Sequence, residues 1–235
     1  MPRRPRQLRL DEARYHTGRG GPRRGAGRPP KAGRSIVHHI RRDPIRKGCP
    51  AHVTVRVRSD VPKLRSKRFL KAFRKTLRAG CDQGHFRVVH YSVQGDHIHL
   101  FVEASGKPSL GRGMQSISLR ISRAVNRVFS RKGPVLLGRY HVRALGNPKE
   151  VRNALRYVLL NARGHYRKRH PRAAMPAPGL DAASSGRWFD GWRRTPWPEP
   201  KADIKEVAEA RFWLSTVGWR KHHPRIDPSE VPSRA

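Results

Sequence analysis

Two histidines and a tyrosine stand out as residues whose types and spacing could do chemistry. Residues 92–103 end in an alternating run, with Ile98, Leu100 and Val102 on one strand face and His97, His99, Phe101 and Glu103 on the other. Period two gives a half-buried strand with two imidazoles on its open face. Imidazoles two residues apart on a strand can bind one metal ion together. The same pattern also fits an exposed strand face that happens to carry histidines. Residues 154–161 shift the balance. There Tyr157 and Asn161 are four apart and stack on one flank of a helix. A packed flank tyrosine and a surface amide are the plainer reading of that pair taken alone.

The elements that must position these groups follow from periodicity. Residues 51–57 alternate, with Ala51, Val53, Val55 and Val57 inward and His52, Thr54 and Arg56 outward, which predicts a strand with a polar face. Residues 64–78 read as a helix with Phe69, Phe73 and Leu77 as its apolar stripe. Residues 85–93 form a second strand that turns at Gln94-Gly95-Asp96 into the histidine strand. Residues 109–130 carry Leu110, Met114, Ile117, Ile121, Ala124 and Val128 at helical spacing, with Arg120, Arg123 and Arg127 off that stripe. Residues 140–145 are a short fourth strand. Asn147-Pro148-Lys149-Glu150 then starts a helix that runs to about residue 164. Strand-helix-strand-strand-helix-strand-helix is the α+β, ferredoxin-like plan, an antiparallel sheet with helices on one face, here with an extra C-terminal helix carrying Tyr157.

Charge bounds the partner. Lys and Arg number 53 against 16 Asp and Glu, a formal net charge of +37 in 235 residues. A polyanion neutralises such an excess, so nucleic acid is the first expectation and an anionic membrane surface the second. No apolar run is long enough to span a bilayer, and no signal-peptide pattern follows the first Met. Cys49 and Cys81 have neither zinc-site nor disulfide-framework spacing, which fits a reducing cytoplasm and association with the nucleoid. Residues 1–48 are expected to be a basic, mostly disordered DNA-binding arm, because their Arg-, Gly- and Pro-rich composition buries too little surface. Within the arm, residues 25–31, including Arg28 and Lys31, loosely resemble a minor-groove AT-hook without its Arg-Gly-Arg-Pro core. A solvated basic tail is the other reading. Residues 49–165 would be the catalytic domain and 166–235 a basic extension holding all five tryptophans. Those tryptophans either pack on the core or stack on bases. Asp203 would cap a short helix over 204–215.

Gly95-Asp96-His97-Ile98-His99-Leu100 resembles the His-hydrophobic-His motif of HUH endonucleases, and residues 156–161 resemble the tyrosine helix of single-tyrosine HUH transposases. The likeness is greatest to REP-associated tyrosine transposases and covers roughly residues 50–165. Arg139-Tyr140-His141, the Asn-Pro helix start and Trp188-Phe189-Asp190-Gly191-Trp192 are also similar. This resemblance implies cleavage of single-stranded DNA next to a hairpin, with a covalent 5′-phosphotyrosine and a free 3′-hydroxyl. It makes Tyr157 the nucleophile and His97, His99 and Asn161 the ligands of Mg²⁺ or Mn²⁺. DNA contacts would come from Arg28, Lys31, Arg56, Arg120, Arg123, Arg127, Arg139, Arg143 and Arg156. Asp96 stands where a neutral residue is expected as often as an acid, and reads as a hairpin residue or an outer-shell carboxylate. The competing readings are a non-catalytic hairpin DNA- or RNA-binding protein on a ferredoxin-like sheet, and a transposase that kept binding but lost cleavage. Monomer and homodimer are both compatible with the sequence.

Overall fold

A computed structural model describes residues 45–177, 179–194 and 204–232. Arg28, Lys31, Trp197, Asp203 and nearly all of the N-terminal arm lie outside those residues. The element order is β1 (Ala51–Arg56), α1 (Lys67–Arg78), β2 (Phe86–Val93), β3 (His97–Ala104), α2 (Lys107–Val128), β4 (His141–Ala144) and α3 (Pro148–Arg169). A single 3₁₀ turn (Gly186–Trp188), a wide π turn (Leu214–Gly218) and a one-turn helix α4 (Trp219–His222) follow. The strands form one antiparallel sheet in the order β2-β3-β1-β4, the split βαβ arrangement that the sequence pattern predicts.

One sheet face packs under α1 and α2. Val53, Val55, Ile98, Leu100 and Val102 meet Phe69, Phe73 and Leu77 of α1 and Met114, Ile117 and Ile121 of α2 in a continuous buried cluster. Ser66 caps α1 by accepting a hydrogen bond from the Phe69 amide at 3.2 Å. Close approach of α2 to the sheet requires Gly113, since a Cβ there would lie 2.1 Å from the Phe86 ring.

The opposite face is covered as well. Phe101 and Val89 sit in a second cluster with Val151, Leu155 and Leu159 of α3 and with Phe189, Trp192, Trp219 and Ile226 from the C-terminal residues. Trp192 and Trp219 are therefore core residues, whereas Trp213 is largely exposed. Two buried carboxylates fasten this second layer. Glu103 accepts from Arg87 and from the backbone amides of Arg211 and Phe212 at 2.9–3.2 Å. Glu206 accepts from the Tyr91 hydroxyl, Trp188 Nε1 and Arg187 at 2.7–2.9 Å. These bonds stand in the way of the helix expected over 204–215. Residues 204–212 form no helix, because the Ala208 amide bonds to Val88 O at 2.9 Å and the amides of Arg211 and Phe212 are taken by Glu103. Helical turns begin only at Trp213.

His90 lies inside this layer, with its ring edge-on to Phe189 at 5.2 Å and Nδ1 3.2 Å from Ser185 Oγ. Burial pushes its pKa down from 6.5 to about 3. The unfolded chain therefore takes up this proton first as pH falls, so stability is lost below about pH 6.5 and continues to fall toward pH 3. His90→Asn is expected to shrink the drop in Tm between pH 7 and pH 5 relative to the wild type. Equal drops in the two proteins would show that His90 contributes nothing to the acid sensitivity.

Candidate active site

Pairing of β1 with β3 places Thr54 opposite His99 and Arg56 opposite His97. The two histidine rings converge from one sheet face, with their Nε2 atoms 3.0 Å apart. Each Nδ1 has its own partner. His97 Nδ1 lies 2.7 Å from Asp96 Oδ1, and His99 Nδ1 lies 3.1 Å from Thr54 Oγ1 and equally far from His52 Nε2. The hydrogen bond of Asp96 to His97 holds its carboxyl below the usual range. Burial, with the neighbouring imidazoles and Arg56, lowers the His99 pKa to about 2. Burial and the charges of His141 and Arg143 lower that of His52 to about 4. Both rings are neutral at pH 7.

The spacing of the two Nε2 atoms fits two ligands of one cation. In the tautomers that put hydrogen on Nδ1 of each ring, toward Asp96 and Thr54, two Nε2 lone pairs face one another. Ligands at about 2.1 Å on adjacent corners of an octahedron are themselves about 3.0 Å apart, which matches this pair. Among the described residues, no group of three or more His, Cys, Asp or Glu side chains is arranged to hold a metal. The remaining ligands of a hard cation would have to be amide, water or phosphate oxygens.

Helix α3 brings the tyrosine. Asn147 caps it by accepting from the Glu150 amide at 2.9 Å, and Pro148 begins the first turn. Glu150 accepts from the Gly146 amide at 2.7 Å, reinforcing that start. At the C-terminal side, Glu230 binds Arg152 at 2.7 Å and Arg156 at 3.3 Å. So anchored, Tyr157 lays its ring 5.1 Å from that of His99 and 5.6 Å from that of His52. Leu160 departs from helical dihedrals (φ −110°, ψ 16°), so a kink separates Tyr157 from Asn161. Asn161 is buried, and its Nδ2 has no hydrogen-bond partner among the described residues. The helix continues five residues past the expected end, to Arg169, and brings the His165 ring within 6.1 Å of His97.

The arginines expected to contact DNA divide into groups. Arg56 is exposed beside His97, and Arg143 is exposed on β4 beside His52, 3.4 Å from Glu150. Arg139 is exposed just before β4. Arg156 is engaged by Glu230. Arg120, Arg123 and Arg127 lie on α2, on the sheet face away from the histidines, and Arg120 covers Gly80 at the end of α1. His52, Thr54 and His165 belong to the site but were not among the expected ligands or catalytic groups. The outward alternation of His52 and Thr54 was the readable signal, but pairing with His99 depends on sheet register.

Residues 46–159 match the model of the family described as "Transposase IS200 like". A comparison with curated proteins found no match. Among solved structures, a REP-associated tyrosine transposase bound to a REP hairpin is similar at 16% identity and a TM-score of 0.51, over 73% of this chain and 98% of that one. That likeness establishes the shared fold. A protein from Deinococcus radiodurans described as a candidate transposase aligns at 14% identity with a TM-score of 0.36, over 62% of this chain and 100% of its own. A bacterial tRNA(His) guanylyltransferase-like protein in complex with GTP aligns at 12% identity with a TM-score of 0.41, over 57% and 71%. Among the described residues, no helix is long and apolar enough to cross a membrane.

Proposed function

We propose that this chain is a transposase that nicks and rejoins single-stranded DNA next to hairpins through a covalent 5′-phosphotyrosine on Tyr157. The observation that carries this reading is the Tyr157 ring lying 5.1 Å from His99, in a site where two imidazole Nε2 atoms converge at 3.0 Å. His97, His99 and the amide of Asn161 would hold Mg²⁺ or Mn²⁺. When bound, such an ion offsets the phosphate charge that otherwise repels a nucleophile. The remaining work falls to the chain. The Tyr157 phenol loses its proton to solvent, its oxygen bonds to phosphorus, and the bond from phosphorus to the 3′ oxygen breaks. The 3′ oxygen then takes a proton and leaves as a hydroxyl. The phosphotyrosine bond keeps the phosphodiester energy, so a second 3′-hydroxyl can displace Tyr157 and reseal a strand.

The test is incubation with hairpin DNA carrying a single-stranded flank, labelled on the 3′ side of the expected nick, with Mn²⁺ or with EDTA. A denaturant-stable adduct should form only with Mn²⁺. Failure to form any adduct across a panel of hairpins would favour a protein that binds but does not cut.

The N-terminal arm is assigned an electrostatic role on composition alone. Deleting residues 1–34 is expected to lower affinity and flatten the log–log salt dependence by roughly 0.7 per lost phosphate contact to single strands. Hairpin preference should not change. An unchanged slope with lost preference would mean that the arm reads sequence.

A further inference from the structure

This inference rests on the nicking reading above. His52 is outside the ligand set, yet it touches both halves of the site. Its ring centroid lies 5.1 Å from His99 and 5.6 Å from Tyr157, while Tyr157 and His99 are themselves 5.1 Å apart. The three rings form a mutual triangle. His52 stands on β1, an interior strand, paired with Phe101 on one side and Arg143 on the other. Its backbone is held from both edges. Tyr157 stands on a helix that bends three residues later, at Leu160.

The polar atom of His52 is redundant. Its Nε2 lies 3.1 Å from His99 Nδ1, but Thr54 Oγ1 lies at the same distance and accepts that proton equally well. If His52 instead donated to His99 Nδ1, the proton of neutral His99 would have to sit on Nε2, which removes the lone pair facing His97. What Thr54 cannot supply is an aromatic surface against the phenol. We propose that His52 is a positioning residue for strand cleavage: its ring is the wall that keeps the Tyr157 phenol beside His99.

Three variants separate ring from polar atom. His52→Phe keeps the ring and removes both nitrogens, His52→Asn keeps a polar group and removes the ring, and His52→Ala removes both. Adduct formation on hairpin DNA with Mn²⁺ is followed for kcat and KM, with Mn²⁺ affinity by calorimetry and Tm alongside. A misplacement of about 1 Å costs on the order of 100-fold in rate. The expected result is a kcat loss of that order in the Ala and Asn variants, near wild-type kcat in the Phe variant, and little change in KM, Mn²⁺ affinity or Tm. Wild-type kcat in the Ala variant overturns the inference. So does rescue by Asn but not by Phe, which would assign His52 a hydrogen-bonding role. A parallel fall of Tm, hairpin affinity and kcat would make its role merely structural and also overturns it. Absence of an adduct from the wild-type protein would instead remove the nicking reading itself, and this inference with it.

Discussion

Tyr157→Phe is expected to abolish the covalent DNA adduct and the nicked product while leaving hairpin affinity and Tm close to wild type. The substitution removes one oxygen and keeps the ring that packs on His99 and His52. That oxygen has no hydrogen-bond partner among the described residues, so its loss leaves nothing buried and unsatisfied. A nucleophile that forms the covalent intermediate has no substitute, so the expected loss is to background. Rival tyrosines are placed elsewhere. The Tyr91 hydroxyl is buried against Glu206, and its pKa is pushed up by burial and by that carboxylate. The Tyr166 ring lies tilted against that of His170, with centroids 4.7 Å apart. Peptide mapping of the adduct decides among them, and a modified peptide without Tyr157 would falsify the assignment.

His97→Ala should likewise remove metal-dependent cleavage, with hairpin binding largely kept. This side chain lies at the start of β3 and is only partly buried. Calorimetry with Mn²⁺ in the absence of DNA should show binding to the wild type and none to the variant. Undiminished Mn²⁺ affinity would remove His97 as a ligand. His99→Ala is expected to have the same effect on activity but a different effect on stability. The sequence reading placed both rings toward solvent, yet His99 is 4% exposed, closed over by His52 and Tyr157. Its removal leaves a cavity and strips a partner from Thr54, at a cost of about 1–3 kcal/mol. His97→Ala is therefore the cleaner probe of chemistry, and a larger Tm loss in His99→Ala than in His97→Ala would confirm the difference in burial.

The parts of this fold governed by local rules were legible from residue order. Alternation placed β1 and β3, a run rich in Val and aromatics placed β2, and the alternation of β3 put His97 and His99 on one face. Asn147-Pro148 marked the start of α3 within a residue, because capping is chemistry between neighbours. Long-range decisions were not legible. Nothing in the order of residues states that Thr54 lies opposite His99, since that register is set by how β1 slides against β3. Residues 204–212 have a helix-compatible composition, but the edge of β2 and the buried Glu103 compete for their amides and win. The polar strand face looked open because its cover comes from tryptophans more than eighty residues downstream of β3, as with Trp192 and Trp219. The bend at Leu160 left no mark in the hydrophobic spacing of α3.

Anchoring of α3 by Glu230 has a consequence in time. Domains generally fold from the N-terminal end as synthesis proceeds. A nascent chain that has reached residue 165 already contains His97, His99 and Tyr157. It does not yet contain the tryptophans that cover Phe101, or the carboxylate that binds Arg152 and Arg156. These three side chains are therefore synthesised well before the residues that anchor α3 from the C-terminal side. α3 can meet Val89 and Phe101 of the sheet as soon as it is made, but its full anchoring waits until Glu230 has been added.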